Sequence, residues 1–401
     1  MIFNELIYYL FLAVAVFIFF SLPRTLRAWW LGFLGIVFYA YYAGSLVFLF
    51  LFEAVTIYFL SKTSRKNATI FVFLVSLCVC VLAYFKYRNT LLLGLFRSLG
   101  TVTDTEIPTL ASFILPLGIS FYTFEFIQYI VDFRKGEIAH PPFKDYLAFN
   151  IFFPTLVAGP IKRFQDFAPQ LEAARFSYNN LNAGITRILI GAAKKVIIAD
   201  SMNFWVQPLL QSKDAIASTG TAELWVALFA YSIKIYMDFS GYSDIAIGSA
   251  KLFGLTVPEN FNAPYLRSNI AEFWRNWHIS LTTWITRYVY IPLGGSRVRL
   301  RRVIFNVMVA MAVSGLWHGS RLHFLFWGLY HGALLAVYRI YRSRISPYLP
   351  NVDRPYAIAL KPLSIAFTFV CVTIGWGLFV MPIENFVILV KRLFAISAIG
   401  S

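Results

Sequence analysis

The segment VIFNVMVAMAVSGLWHGSRLHFLFWGLYHGALLAV, residues 303–337, decides the fold. It reads as two apolar runs, 303–317 and 322–337, joined by a turn that carries Arg321. The runs are continuous rather than alternating, so they predict helices and not the strands of a barrel. Three of the chain's five histidines, His318, His323 and His331, fall in this one segment. A histidine at lipid depth needs a hydrogen-bond partner or a chemical task.

The rest of the chain has the same character. Its 401 residues are 59% hydrophobic and 18% aromatic, and 13% are charged, against about 25% in an ordinary soluble domain. Mean hydropathy is +0.67. These values predict an all-α integral membrane protein of about eleven spanning or re-entrant helices. The apolar runs cover 7–22, 28–42, 46–60, 69–85, 110–131, 181–199, 224–237, 303–317, 322–337, 357–380 and 386–399. A shorter piece occupies 91–99. The first run follows Glu5 with no basic residue, and no small-residue cleavage site precedes Pro23. It is expected to remain as a span rather than be removed as a signal peptide. No internal repeat or long linker interrupts the chain. A single membrane domain, 1–401, is expected, with N-terminal helices in 1–135, a core in 146–340 and C-terminal helices in 356–401.

The net charge of +16 would suggest nucleic acid in a soluble protein. Here the basic residues lie in short loops: Arg24 and Arg27; Lys62, Arg65 and Lys66; Arg134, Lys135 and Lys144; and RVRLRR at 297–302. The positive-inside rule accounts for them, so no nucleic-acid partner is expected. Two runs separate Arg27 from Lys62, which puts the first two clusters on one side, the cytoplasmic one, and Met1 outside. Cys78, Cys80 and Cys371 suggest neither a disulfide framework nor a metal site.

Polar residues gather in the second half. The stretch YMDFSGYSDIAIG at 236–248 places Asp238, Ser240 and Asp244 directly after an apolar run. Two readings stand: a polar lining facing a cavity, or a helix end with a carboxylate capping the next helix. Further on, Ser268 or Asn269 can cap a helix from Ile270, with Glu272 in its first turn. Along it Phe273, Trp277, Leu281 and Trp284 share one stripe, and Trp274 and His278 a neighbouring one. A Trp-rich amphipathic helix lies in the membrane interface or dips into a cavity. His278 is then either an interfacial histidine bonded to a neighbour or a functional one. His318 closes an apolar span between Trp317 and Gly319. His323, near Arg321, reads as the most exposed of its group. The stretch 146–164, with Pro154, Gly159 and Pro160, is expected to be a broken element.

A neutral imidazole can take a proton from a hydroxyl, and burial disfavours its charged form. No G-x-S-x-G elbow, His-Glu-x-x-His pair or cysteine cluster is present, so neither a serine nucleophile nor a metal is expected.

Several stretches carry a family likeness: LPLGISFYTF (115–124), FFPTLVAGPIKRF (152–164), GAAKKVIIAD (191–200), YMDFSGYSDIAIG, FNAPYLRSNIAEFWRNWHISLTTW (261–284), YIPLGGSR (290–297) and GLWHG (315–319). Together and in this order the chain resembles the membrane-bound O-acyltransferases. It is most similar to the bacterial branch serving alginate O-acetylation and teichoic acid D-alanylation. The resemblance implies helices around a central tunnel, with His318 catalytic and His278 the second characteristic histidine. It implies His331 as a structural residue, and Trp274, Arg275, Asn276, Trp277, Trp317, Asp238, Ser240 and Arg163 as substrate contacts. The acyl donor is then a thioester substrate, acetyl-coenzyme A or an acyl-carrier protein, with no permanently bound cofactor. Implied partners are membrane lipid, an extracytoplasmic esterase-like protein, a cytoplasmic carrier protein and a polysaccharide acceptor. Alginate-type relatives are longer at the C-terminus, so a final span or two beyond Ser401 is expected to be missing here. A transporter or channel is the reading from another class. It would need an inverted pair of interrupted spans, and none is visible.

The charge pattern makes a direct prediction. In intact cells, a cysteine placed in the turn 62–66 should resist an impermeant thiol reagent added outside. Ready labelling there would reverse the assigned orientation.

Overall fold

A computed structural model describes residues 5–98, 115–348 and 354–394. All regular elements among them are helical, and the one strand-type contact is an isolated bridge between Phe261 and Trp277. The protein is an all-α membrane protein. Among the described residues four helices are long and apolar enough to cross a bilayer: Leu46–Ser64, Ala68–Thr90, Leu300–His318 and Ala359–Val380. The chain divides into two compact units, Met1–Ala192 with Tyr242–Glu259, and Ala193–Gly241 with Asn260–Ser401.

The first unit is built from α1 (Leu6–Ser21), α2 (Arg24–Ala43), α3 (Leu46–Ser64), α4 (Ala68–Ser98), α5 (Ile119–Arg134), α6 (Phe143–Asn150), α7 (Phe153–Leu156), α8 (Phe164–Ala173) and α9 (Tyr178–Ala193). The piece at 91–98 is the continuation of α4, while residues 99 and 110–114 lie outside the described residues. Phe17, Phe48 and Phe59 point outward, as lipid-facing positions do. The stretch 146–164 is broken as its prolines and glycine predict. Helix α6 stops at Asn150, α7 is a single turn, and the chain is non-helical from there to Arg163. The broken backbone is packed inside protein. Lys162 Nζ lies 2.8 Å from both Glu125 carboxylate oxygens, and its carbonyl accepts a bond from Gln128 Nε2 at 2.8 Å.

Helix α10 (Thr221–Leu252) begins in the second unit and ends in the first. It runs without interruption through 236–248, which removes the helix-end reading of that stretch. Asp238 and Asp244 are not caps. Lys195 Nζ, on a π-helical turn Lys194–Ala199, sits 2.9 Å from Asp238 and 2.6 Å from Asp200. Arg187 Nε donates to Asp244 at 2.6 Å and Arg187 Nη2 to Glu259 at 2.6 Å. Pairing compensates the carboxylates, so the apolar helix can continue past them.

The second unit continues with α11 (Ile270–Asn276), α12 (Ile279–Ile285), α13 (Leu300–His318), α14 (Leu322–Ile340), α15 (Arg354–Val380) and α16 (Ile383–Leu393). The hairpin α13–α14 is its spine. A Cβ on Gly315 would collide with the Phe324 carbonyl, and one on Gly328 with the Met311 carbonyl. The two glycines let the backbones meet closely, the usual way helices associate where lipid removes a hydrophobic drive. Helix α15 lies antiparallel along α14. His323, Trp327 and Tyr330 meet Met381, Trp376 and Cys371 in reverse order.

The glycine contact is testable. Gly328→Leu should lower the apparent melting temperature and monodisperse yield in detergent, since forced overpacking costs about 1–3 kcal/mol or more. A normal melting curve would mean that the hairpin is not held by backbone contact.

Candidate active site

Of the candidate site residues, all but Arg163 lie in the second unit. Sequence periodicity suggests one helix from Ile270 through Trp284, but the chain breaks at Trp277 and His278. Asn269 caps α11, its Oδ1 accepting from Glu272 N at 3.0 Å, and α11 ends at Asn276. His278 then takes left-handed backbone, φ +45 and ψ 56, before α12 begins. Left-handed conformation is uncommon outside glycine, although histidine is among the residues enriched there. The incoming strand-like segment holds it open. Asn260 accepts from Ile279 N through its carbonyl at 2.9 Å and from Ser280 Oγ through Oδ1 at 2.6 Å. Asn262 N donates to the Asn276 carbonyl at 3.1 Å. Positive φ at a non-glycine residue persists only where surrounding bonds over-determine it, and such residues cluster at functional sites. No pattern in the sequence announces this break.

The break turns the His278 ring inward. It is 2% exposed and meets Phe239 edge-on at 4.6 Å. Burial pushes its pKa down to about 3, so the imidazole is neutral at any physiological pH. Its Nε2 has no partner within the protein among the described residues. Trp317 connects the two histidines: its ring lies 5.7 Å from His278 and 4.6 Å from His318. His318, the last residue of α13, is half-buried. Trp327 and Phe379 stand edge-on to it at 5.0 and 4.9 Å, and Phe324 packs against it at 6.4 Å. A Cβ at Gly319 would strike the Phe324 ring, so the chain after His318 must be glycine for this packing.

The remaining candidates divide. Trp274 packs edge-on to Trp327 and His331, at 5.7 and 5.1 Å. Trp277 lies in an aromatic stack with Phe273, Tyr265 and Trp376. Asn276 Nδ2 donates to the Glu272 carbonyl at 2.8 Å, a local helix bond. Arg275 is exposed, and Ser240 is buried with no protein partner for its hydroxyl among the described residues. Arg163 belongs to the first unit, beside Asp132 at 3.6 Å and Glu137 at 3.5 Å. Among the described residues no group of three His, Cys, Asp or Glu side chains could hold a metal.

Sequence reading places His323 in solvent, and the structure corrects this. His323 is 5% exposed and its Nδ1 lies 2.8 Å from the Met381 carbonyl, joining α14 to the end of α15. A short turn containing Arg321 looked hydrated, but His323, two residues on, faces inward. His331 is fully buried among Phe273, Trp274, Trp327, Tyr330 and Trp376. Two contributors escaped the sequence reading, Tyr265 and Trp376. Trp376 Nε1 donates to Tyr265 Oη at 3.0 Å, and Tyr265 donates to the Ser232 carbonyl at 2.8 Å. The tight spacing of Gly375, Trp376 and Gly377 is a signal that could have marked them, because a Cβ on Gly375 would meet the His331 ring at 2.7 Å.

A cavity of about 300 Å³ opens beside this cluster. Trp274, Thr282 and Tyr290 form one wall, and Arg275 and Arg339 border it. Along α13 its lining residues are Val307, Ala310, Met311 and Ser314. That is a single helical row, and the next position in it is His318.

A model of the family described as "MBOAT, membrane-bound O-acyltransferase family" matches residues 24–380. The probable alginate O-acetylase AlgI of Azotobacter vinelandii is 39% identical over 302 residues, which cover 75% of this chain and 58% of that protein. The peptidoglycan O-acetyltransferase of Helicobacter pylori is 32% identical over 387 residues, 87% of this chain and 70% of that one. The teichoic acid D-alanyltransferase of Bacillus subtilis is 31% identical over 268 residues, 64% and 66% of the two chains. The chain thus spans little more than half the length of the alginate relative.

Substitutions at two positions test the local geometry. His278→Asn should melt near the native temperature, since asparagine tolerates left-handed backbone. His278→Ala should melt lower by several degrees. His323→Ala should also destabilise the protein, by about 1–3 kcal/mol, through the unpaired Met381 carbonyl and the lost packing. If alanine and asparagine at 278 melt alike, the backbone there is not strained. An unchanged melting curve for His323→Ala would mean that its bond to Met381 does not join the helices.

Proposed function

The chain belongs to the membrane-bound O-acyltransferase family, and we propose that it moves an acyl group, acetyl first, from a cytoplasmic thioester to a hydroxyl acceptor outside the cytoplasmic membrane. One observation carries this reading: the Arg-bordered cavity follows one row of α13, and the row's next position is His318. The other end of α13 begins at Leu300, beside the arginines at 297, 299, 301 and 302. By the positive-inside rule that end faces the cytoplasm.

Each residue has a part in this scheme. Arg275 and Arg339 have no ion-pair partner among the described residues and can meet the phosphates of coenzyme A or of a carrier protein's prosthetic arm. Val307, Ala310 and Met311 give the pantetheine arm an apolar wall. His318 accepts the proton of the acceptor hydroxyl as its oxygen bonds to the acyl carbon. The carbon–sulfur bond breaks, and the thiol leaves with a proton. His278, held neutral, orients the reacting groups and does not compete for the proton. Trp274, Trp277 and Trp317 exclude water from the thioester. Asp238 and Ser240 line the polar side. The acceptor is an extracytoplasmic polysaccharide, reached directly or through an esterase-like partner protein. Acetyl is favoured because the O-acetyl-transferring relatives match a larger share of the chain than the D-alanyl ones. D-alanyl transfer from a cytoplasmic carrier protein is the second reading.

In membranes or nanodiscs, acetyl-coenzyme A with a polysaccharide or its partner protein should release free thiol. His318→Ala should cut this rate by about 10²–10⁴ with the fold intact. His278→Ala should also slow transfer strongly. Arg275→Glu with Arg339→Glu should raise KM for the donor and leave kcat little changed. Near-native turnover by folded His318→Ala protein would remove the base from the mechanism. Transport of a solute without thiol release would move the protein to another class.

A further inference from the structure

A second cavity, of about 770 Å³, lies in the second unit away from the histidines. Its long walls are α14 and α15. Leu334, Val337 and Tyr338 contribute from the first, and Leu363, Phe367 and Cys371 from the second. Because the helices are antiparallel, the groove has two distinct ends. At one end Tyr330 bonds the Cys371 carbonyl. At the other, the π-helical turn Tyr341–Ile345 that extends α14 lies near the beginning of α15.

Four polar side chains of the lining are already engaged within the protein. Ser268 Oγ donates to Glu272, and Asn269 Oδ1 is used in capping α11. Ser364 Oγ donates to the Leu360 carbonyl at 3.2 Å and Thr368 Oγ1 to the Ser364 carbonyl at 2.8 Å. An occupant meets hydrocarbon along the shaft. Tyr338 and Tyr341 mark the level where it changes, as tyrosines do at a membrane interface. Beyond them come exposed cations: Arg342 and Arg344 on the turn and Lys361 on α15, about one turn before the lining residue Ser364. In 322–371 the one acidic residue is Asp353, which lies outside the described residues.

An apolar shaft, an aromatic collar and a cluster of cations are the three zones of a glycerophospholipid in reverse: chain, glycerol level and phosphate. Pure solvation by lipid would need the first zone only. We propose that this groove is a specific site for an anionic phospholipid of the cytoplasmic leaflet. One acyl chain fills the space between α14 and α15, and the phosphate is held by Arg342, Arg344 and Lys361. Basic pockets between membrane helices on the cytoplasmic side have this selectivity for charge reasons. The proposal does not depend on the acyl-transfer reading, since none of these residues belongs to that site.

The test is binding, not turnover. Delipidated full-chain protein in neutral detergent is titrated with phosphatidylglycerol or with phosphatidylcholine of the same chains, and bound lipid is read by native mass spectrometry. Glycerol phosphate serves as the chainless control. The wild type should retain phosphatidylglycerol at least tenfold better than phosphatidylcholine and show no uptake of glycerol phosphate. The triple variant R342A/R344A/K361A, whose residues are all exposed, should fold and lose that preference. Ser364→Trp should lose both lipids by filling the shaft. Should Ser364→Trp fail to fold, the triple variant still decides. Equal retention of the two lipids by the wild type, an unchanged preference in the triple variant, or binding of glycerol phosphate alone would each overturn the proposal.

Discussion

The close contact of Gly315 with Gly328 is the constraint on which the candidate site depends. In lipid the helices gain little from hiding apolar side chains, so they associate by backbone approach and fitted packing. The glycines bring α13 and α14 together without intervening side chains, and the consequences follow along both helices. One turn past Gly315, His318 meets Trp327, one residue before Gly328. A further turn along α14, His331 falls against Trp274. Helix α15 then completes the cluster, with Gly375 making room for the His331 ring and Phe379 closing on His318. Bulk at either glycine would separate rings that lie about as far apart as aromatic pairs prefer.

The second requirement is the interruption at His278. A straight helix from Ile270 to Ile285 would leave its histidine on the flank. The left-handed residue turns the chain so that α11 supplies tryptophans to the cluster while the His278 ring enters from the side of α10 and Trp317. The cost of that conformation is met by Asn260, whose carbonyl and side chain take the first donors of α12. Irregular backbone is tolerated at this depth only where protein satisfies it. The same rule governs the broken stretch at 146–164, where Lys162 and Gln128 do what Asn260 does here.

How much of this is legible in the sequence differs by residue. The membrane class and the all-helical fold follow from continuous apolar runs, and the break at 146–164 follows from Pro154, Gly159 and Pro160. Each is a local signal. The histidine-rich hairpin is legible as well, since His318 closes an apolar run. What stays hidden depends on partners distant in sequence. Asp238 and Asp244 read equally as a cavity lining or as helix ends until the unbroken helix, with Lys195 and Arg187 beside them, removes the second reading. His323 looks hydrated until the Met381 carbonyl, far along the chain, is found at its ring. The break at His278 is hidden for another reason. Its flanking residues keep helical spacing on both sides, so periodicity reads straight through a single residue of opposite handedness.

The arginine excess that sets the charge of the chain has further uses in the second unit. Helices α13 and α14 form a hairpin, and α15 runs antiparallel to α14. The start of α13, the end of α14 and the start of α15 therefore lie at one end. That end carries Arg299, Arg301 and Arg302, then Arg339, Arg342 and Arg344, then Lys361. Insertion alone needs only the sum of these charges, wherever they fall along the loops. Their placement is more particular. Arg339 borders the cavity that leads along α13 toward His318, while Arg342 and Arg344 lie at the end of the groove between α14 and α15. These residues are neighbours in sequence, but the α-helix ends at Ile340 and the next turn is π-helical. A π turn rotates the following side chains relative to a continuing α-helix. Under the two proposals, this local irregularity separates the donor-binding arginine from the lipid-binding pair.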